Sequence, residues 1–149
     1  LRVARPDIAL SGDFIVGFPG ESDEDFEQTL ELVREVKYAQ AYSFKYSTRP
    51  GTPAAENKNQ VPEEIKSERL SRLQALLSQH QKEFMGTMVG KVLPVLLERP
   101  GRLDGQLVGR SEYLHGVHAS IDQAQIGDIV NLRILGADTN SLRAEFVSK

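Results

Sequence analysis

The chain has 149 residues, 40% of them hydrophobic and 26% charged, with a formal net charge of −3. This is apolar material for one ordinary core or two small ones, and the mixed charge argues against disorder. With no cysteine and three scattered histidines, disulfides, thiolate ligands and metal-centred or thiol chemistry run by this chain alone are excluded. A strongly positive field for nucleic acid is also excluded.

Division does not change the charge balance. Residues 1–82 carry 11 Lys/Arg against 13 Asp/Glu, and residues 83–149 carry 7 against 8, giving −2 and −1. RNA binding would therefore have to come from local patches. No stretch approaches the roughly 18 apolar residues needed to cross a bilayer. The start, LRVARPDIALSGDFIVGF, is only loosely like a signal peptide, since Arg5, Pro6, Asp7, Ser11, Gly12 and Asp13 interrupt it. No membrane association and a cytoplasmic location are expected.

DFIVGF, Asp13 to Phe18, is apolar on both parities and predicts a strand covered on both faces in a parallel sheet. Pro19-Gly20 ends it, and Ser22 with Asp25 forms a capping-box-like pair with Asp in place of Glu. Glu21, Asp23 and Glu24 put negative charge at the start of a helix predicted from Asp23 to about Lys37. Phe26, Leu30, Val33 and Lys37 share one face, widened by Leu32 and Val36.

AYSFKYS, Ala41 to Ser47, alternates and predicts a second strand, with Tyr42, Phe44 and Tyr46 assigned to a core in preference to base stacking. Strand, helix and strand make a βαβ unit whose parallel pair needs more sheet at its edges. TRPGTPAAENKNQV, residues 48–61, reads as a loop. Pro62 then opens a helix of about twenty residues ending near Gly86. Its stripe is Ile65, Leu73, Leu76, Leu77, His80 and Phe84, with Arg69 and Leu70 on the flank.

Beyond Gly86 the texture becomes five short β-prone runs at 90–98, 105–111, 114–120, 127–135 and 141–148, separated by Gly- and Asn-containing turns. Such spacing fits a small closed or nearly closed barrel. Ile129, Leu132 and Ile134, then Leu142, Ala144 and Phe146, are its predicted inward positions. The boundary is placed at 83–88, giving units of 1–84 and 85–149.

DFIVGFPGESDEDFEQTLELV, YSFKYSTRPGTPAA and VPEEIKSERL together resemble the radical-SAM tRNA methylthiotransferases of the MiaB type. The last 65 or so residues resemble that family's TRAM domain, so the resemblance covers essentially the whole chain. The fold class it implies is an α/β fragment of a radical-SAM partial (β/α) barrel followed by a small all-β TRAM barrel. The implied activity is methylthiolation of carbon 2 of N6-isopentenyladenosine beside the tRNA anticodon. In that family one SAM yields a 5′-deoxyadenosyl radical that abstracts hydrogen from carbon 2. Sulfur then comes from the auxiliary-cluster region, and a second SAM supplies the methyl group. The implied cofactors are SAM and two 4Fe–4S clusters. The CxxxCxxC loop and the auxiliary-cluster cysteines have no counterpart here, so these 149 residues are expected to be inactive alone and to bind no cofactor tightly. The implied partners are the tRNA anticodon arm and the remaining domains of the same polypeptide, with a monomeric full-length protein.

By the same resemblance Gly17, Phe18, Pro19, Gly20 and Glu21 lie beside the SAM adenosine, with Phe18 or backbone groups nearest adenine. Glu21 receives no proton-transfer role. The residues alone also fit a tight strand-to-helix turn with Glu21 as a helix-terminal charge. Tyr46 and Arg49 border the arriving tRNA base, where a guanidinium on a Pro/Gly-stiffened loop suits a phosphate or carboxylate. Arg49 reads equally as a surface charge. In the barrel, Lys91, Arg99, Arg102, Arg110 and Arg133, with Arg143, are candidate phosphate contacts, and Tyr113, His115 or His118 could stack on a base. Each reads singly as a solvated side chain, and Glu98, Asp104, Glu112 and Asp128 dilute their field. Three alternatives stand beside this reading. Two are methylthiotransferases, acting on threonylcarbamoyl-adenosine or on a ribosomal-protein aspartate. The third is a standalone RNA-binding module without catalysis.

Overall fold

The computed structural model describes all 149 residues and divides into two compact units, Leu1–Gln81 and Lys82–Lys149. In the first, β1 (Ser11–Val16) leads through α1 (Asp23–Val36) to β2 (Gln40–Lys45), which pairs with β1 in parallel. A single turn, α2 (Pro53–Glu56), precedes α3 (Glu63–Gly86).

Helix α1 starts where its sequence dictates. Ser22 Oγ accepts from the Asp25 amide at 3.1 Å, and the Ser22 amide donates to Asp25 Oδ2 at 2.9 Å. Asp performs the reciprocal half of the capping box in place of Glu. The helix ends at Lys37, left-handed at φ 50°, whose N–H donates to the Val33 carbonyl. Phe26, Leu30 and Val33 bury against Val16 together with Leu73 and Leu77 of α3.

Several expectations fail in this unit, among them Ile65, placed on the apolar stripe of α3 but 40% exposed. The β1–β2 pair is covered on one face only, because the helices pack against the side bearing Phe14, Val16 and Ala41. In the parallel register Asp13 lies opposite Tyr42 and Ile15 opposite Phe44, on the other face. Ile15, Tyr42 and Phe44 are therefore 59%, 57% and 56% exposed and not core. Leu32, placed on the apolar stripe of α1, is also exposed. Finally, the segment read as a loop contains α2, where Thr52 Oγ1 accepts from the Ala55 amide and Pro53 occupies the first turn.

In the second unit, strands β3 (Val92–Pro100), β4 (Gln106–Ser111), β5 (Gly116–Ser120), β6 (Ile129–Ala137) and β7 (Ser141–Ser148) close into a barrel in the order β3-β4-β5-β7-β6. All pairings are antiparallel except β5 with β7. Leu93, Val95, Leu97, Val117, Val130, Leu132, Ile134 and Leu142 fill it, joined by Met85 and Met88. Ile129, expected to point inward, is 64% exposed. Leu132 and Ile134 set the inward parity, and Val130 takes the place. Gly109 is required by close approach, since a Cβ there would lie 2.3 Å from the Leu96 carbonyl oxygen. No helix is long and apolar enough to cross a membrane.

Candidate functional site

At the carboxyl end of β1 the chain turns through Gly17, with φ at +70°. A side chain there would strike the stem of Lys66, whose Cγ lies 2.1 Å from the position a Cβ would take. The Gly17 amide donates to Glu21 Oε1 at 2.9 Å, and the Glu21 amide donates to the Phe18 carbonyl, so the turn is closed by its own glutamate. The Gly20 amide donates to the Asn59 carbonyl at 2.8 Å, fastening the segment after α2 to the same turn.

The residue that organises this end is Arg69 of α3, only 3% exposed. One guanidinium nitrogen donates to Glu21 Oε1 at 2.6 Å and to the Glu21 carbonyl at 3.1 Å, and another reaches Asp23 Oδ1 at 2.7 Å. Its Nε is buried without a partner, and the guanidinium lies 5.6 Å from the centre of the Phe26 ring. Sequence reading placed Arg69 on the flank and missed this role. The available signal was an arginine four residues before Leu73 on a buried helical face, since a charge there must find a partner.

The other predicted residues of this unit divide. Gly17 and Pro19 are buried, Glu21 is half-buried in the Arg69 clamp, and Phe18 is half exposed with its ring edge-on to Tyr46 at 5.2 Å. The Tyr46 amide donates to the Val16 carbonyl, which places it at the neighbouring strand end, and its hydroxyl is buried without a partner. Arg49 is exposed and makes no ion pair, while its carbonyl accepts from Thr52 Oγ1 at 2.8 Å. Lys45 pairs with Glu63 at 2.5 Å. Beside it, Lys66 bonds the same carboxylate at 2.9 Å. These lysines hold the Glu63 carboxyl below the ordinary carboxylate range, the Lys45 hydrogen bond contributing most. The structure thus gathers Gly17–Glu21, Tyr46 and Arg69 at one end of the sheet, with Phe18 and Arg49 open to solvent.

The barrel cations do not form one face. Lys91 immediately precedes β3 and Arg99 lies near its far end, while Arg133 is paired in register with Val92 near the Lys91 end. Arg110 faces Glu98 at 3.3 Å and Arg133 faces Glu145 at 3.9 Å, so both are partly neutralised. Arg99 and Arg102 make no ion pair and line a common groove of about 450 Å³ with Gln106, His118, Asp138 and Ser141. Two proposed stacking residues are redirected inward. His115 is buried and Tyr113 half-buried, both packed against Phe84 with ring centres 5.5 and 5.7 Å away. His118 remains at the groove, 3.6 Å from Asp138. No group of three or more His, Cys, Asp or Glu side chains is arranged to hold a metal ion.

Residues 86–147 match the TRAM domain family. A solution structure of a conserved protein from Methanococcus maripaludis aligns at 24% identity with a TM-score of 0.34, over 40% of this chain and 79% of that one, too loose a likeness to carry an argument. Over 145 residues, 97% of its length, the chain is 61% identical to the tRNA-2-methylthio-N(6)-dimethylallyladenosine synthase of Agrobacterium fabrum, of which it spans 32%. The chain is therefore similar, almost from end to end, to about a third of a tRNA methylthiotransferase, and its closed barrel falls on the TRAM match.

Proposed function

We propose that this chain serves as the carboxyl-terminal part of a radical-SAM enzyme that methylthiolates carbon 2 of N6-isopentenyladenosine next to the anticodon of tRNA. The observation that carries the reading is the 61% identity over 97% of the chain. The relative's dimethylallyladenosine product favours this branch over enzymes acting on threonylcarbamoyl-adenosine or on a protein aspartate. SAM and two 4Fe–4S clusters supply the radical, sulfur and methyl chemistry, and their thiolate ligands come from other parts of the polypeptide, because this chain has no cysteine.

On this reading residues 1–84 are the end of the radical-SAM barrel and residues 85–149 the RNA-gripping module. Gly17, Phe18, Pro19, Gly20 and Glu21 line the SAM side. The Glu21 carboxylate is already engaged by Arg69 and the Gly17 amide. Its work is therefore to hold the turn, leaving backbone groups and the Phe18 ring to meet adenosine. Tyr46 and Arg49 border the incoming base, Arg49 with a guanidinium free for phosphate. Lys91, Arg99, Arg102, Arg110 and Arg133 supply phosphate contacts in the barrel, with Arg99 and Arg102 the least neutralised. A cytoplasmic setting, where tRNA is modified, goes with this reading.

The test is a chimera in which this chain replaces the matching third of the Agrobacterium protein. Nucleoside mass spectrometry of tRNA from cells relying on the chimera should detect the methylthio product. A folded, cluster-loaded chimera that makes none would sink the proposal.

A further inference from the structure

Two grooves meet at the turn joining β3 to β4, and both are walled by Arg102, Leu103 and Gln106. On one side lies the groove already described, polar in its charged rim although Leu103 and Val108 also line it, where Arg99 and Arg102 present guanidiniums without carboxylate partners beside the His118–Asp138 contact and Ser141. On the other lies a groove of about 670 Å³ whose apolar lining includes Leu107, Ile121, Ala124 and Ile126. Leu103 and Ile126 stand 69% and 50% exposed there.

The dividing turn is held in place. The Gly101 amide donates to the Gln106 carbonyl at 2.6 Å, the Arg102 amide donates to Gln106 Oε1 at 3.1 Å, and a Cβ on Gly101 would collide with the Gln106 side chain. Across the polar groove, the Asp138 amide donates to the Ser141 carbonyl at 2.8 Å, fixing the β6–β7 turn that carries the Asp138 carboxylate.

We propose that this turn seats one unpaired ribonucleotide of a bound RNA, with its sugar and phosphate in the polar groove and its base against the apolar groove. The inference rests on the reading of the barrel as an RNA-binding module and says where and how it grips. A free anion would use the two arginines and leave the apolar groove idle. A purely apolar ligand would leave the guanidiniums idle. A nucleotide uses both, because it joins an anion to a flat, largely apolar ring. The Asp138 carboxylate, 3.6 Å from His118 Nε2, keeps acceptor capacity in a groove that otherwise selects an anion, and the donor that a nucleotide backbone offers it is the ribose 2′-hydroxyl. The groove should accordingly prefer RNA to DNA.

The experiment is fluorescence anisotropy of the 149-residue chain with an anticodon stem-loop RNA and with the same sequence as 2′-deoxy DNA, over a salt series. Arg99→Gln with Arg102→Gln should weaken both ligands and flatten the log affinity against log salt slope by about 0.7, the value for one single-strand phosphate contact. Asp138→Ala should weaken RNA several-fold and leave DNA unchanged or slightly tighter, since it also removes a negative charge beside the phosphate. Amide shifts on the unaltered chain, which need no variant to fold, should centre on Leu103, Gln106 and Asp138. Full binding by the double-arginine variant, with loss in Arg110→Gln or Arg133→Gln, would overturn the groove and leave RNA binding by the barrel standing. An unchanged RNA-to-DNA ratio in Asp138→Ala would overturn the ribose contact. No binding by the unaltered chain would remove both the groove and the reading beneath it.

Discussion

Strands β1 and β2 hydrogen-bond only to each other, whereas every strand of the barrel has a partner on both sides. The difference is closure. A five-stranded sheet that returns to its first strand satisfies its backbone and sequesters Leu132, Val95 and their neighbours without help. A parallel pair covered by helices on one face cannot, and it leaves Ile15, Tyr42 and Phe44 exposed. The first unit compensates with polar clamps: Arg69 on Glu21 and Asp23, Arg72 on Glu27, and Lys45 and Lys66 on Glu63. The barrel's stability should therefore rest on apolar packing, and that of the first unit to a larger degree on ion pairs and caps.

The largest expected effect tests the apolar half of that contrast. Leu132→Ala should cost the barrel about 3–5 kcal/mol in urea unfolding, because a fully buried leucine leaves a cavity. Far smaller loss would mean that the barrel interior is not tightly packed. In the first unit, Arg69→Met should cost about 2 kcal/mol by stranding the Glu21 carboxylate. Because Asp23 is solvent-exposed, restoring neutrality with Glu21→Gln in the same chain should recover part of the loss. A double variant worse than the sum of its singles would contradict the clamp.

Hydrogen exchange compares the units directly. Amides of β1 and β2 should exchange at least about tenfold faster than the inner amides of β3 to β7, as befits a sheet with open edges. Equal, strong protection would mean that something covers the pair in solution. A smaller change, about 1 kcal/mol, is expected from Ser22→Ala, which removes the acceptor for the Asp25 amide. It should appear as fraying of α1 and leave barrel resonances in place.

The smallest effect is on acid stability. The Asp25 carboxyl is held below its ordinary value of 3.8, first by the Ser22 amide and then by the Ser22 hydroxyl. Asp128 is lowered likewise by the Gln125 amide and Lys149. A depressed folded-state value gives stability that is present above pH 3.8 and is lost as the pH falls through the folded value. Carboxyl carbon shifts should therefore titrate below 3.8 for both residues. A midpoint at or above that value for Asp25 would show that the capping box does not persist in solution.

The order of elements was legible in the sequence because each depends on neighbours along the chain. The Ser22–Asp25 pair predicts the start of α1, Gly and Pro mark the turns, and the five β-prone runs appear as β3 to β7. The match was weaker where parity was needed. Ile129 and Val130 are both strand-forming residues, and the alternation through Leu132 and Ile134 turns Val130 inward and Ile129 out. The candidate strand-end residues were found as a cluster because they are contiguous. Arg69 was not, because it lies 48 residues beyond Glu21 and meets it only when α3 packs. The same holds for Arg99, Arg102, His118 and Asp138, which share a groove although they come from different strands and turns.

The sequence by itself determined the absence of any thiolate, the mixed charge, the helix caps and the alternation of strands, all properties of composition or of contacts a few residues apart. Tertiary structure decided which face of β1–β2 stays open, which arginines keep a free charge and which carboxylates are spoken for. Those outcomes depend on distances between residues remote in the chain, and burial and ion pairing are set by such distances.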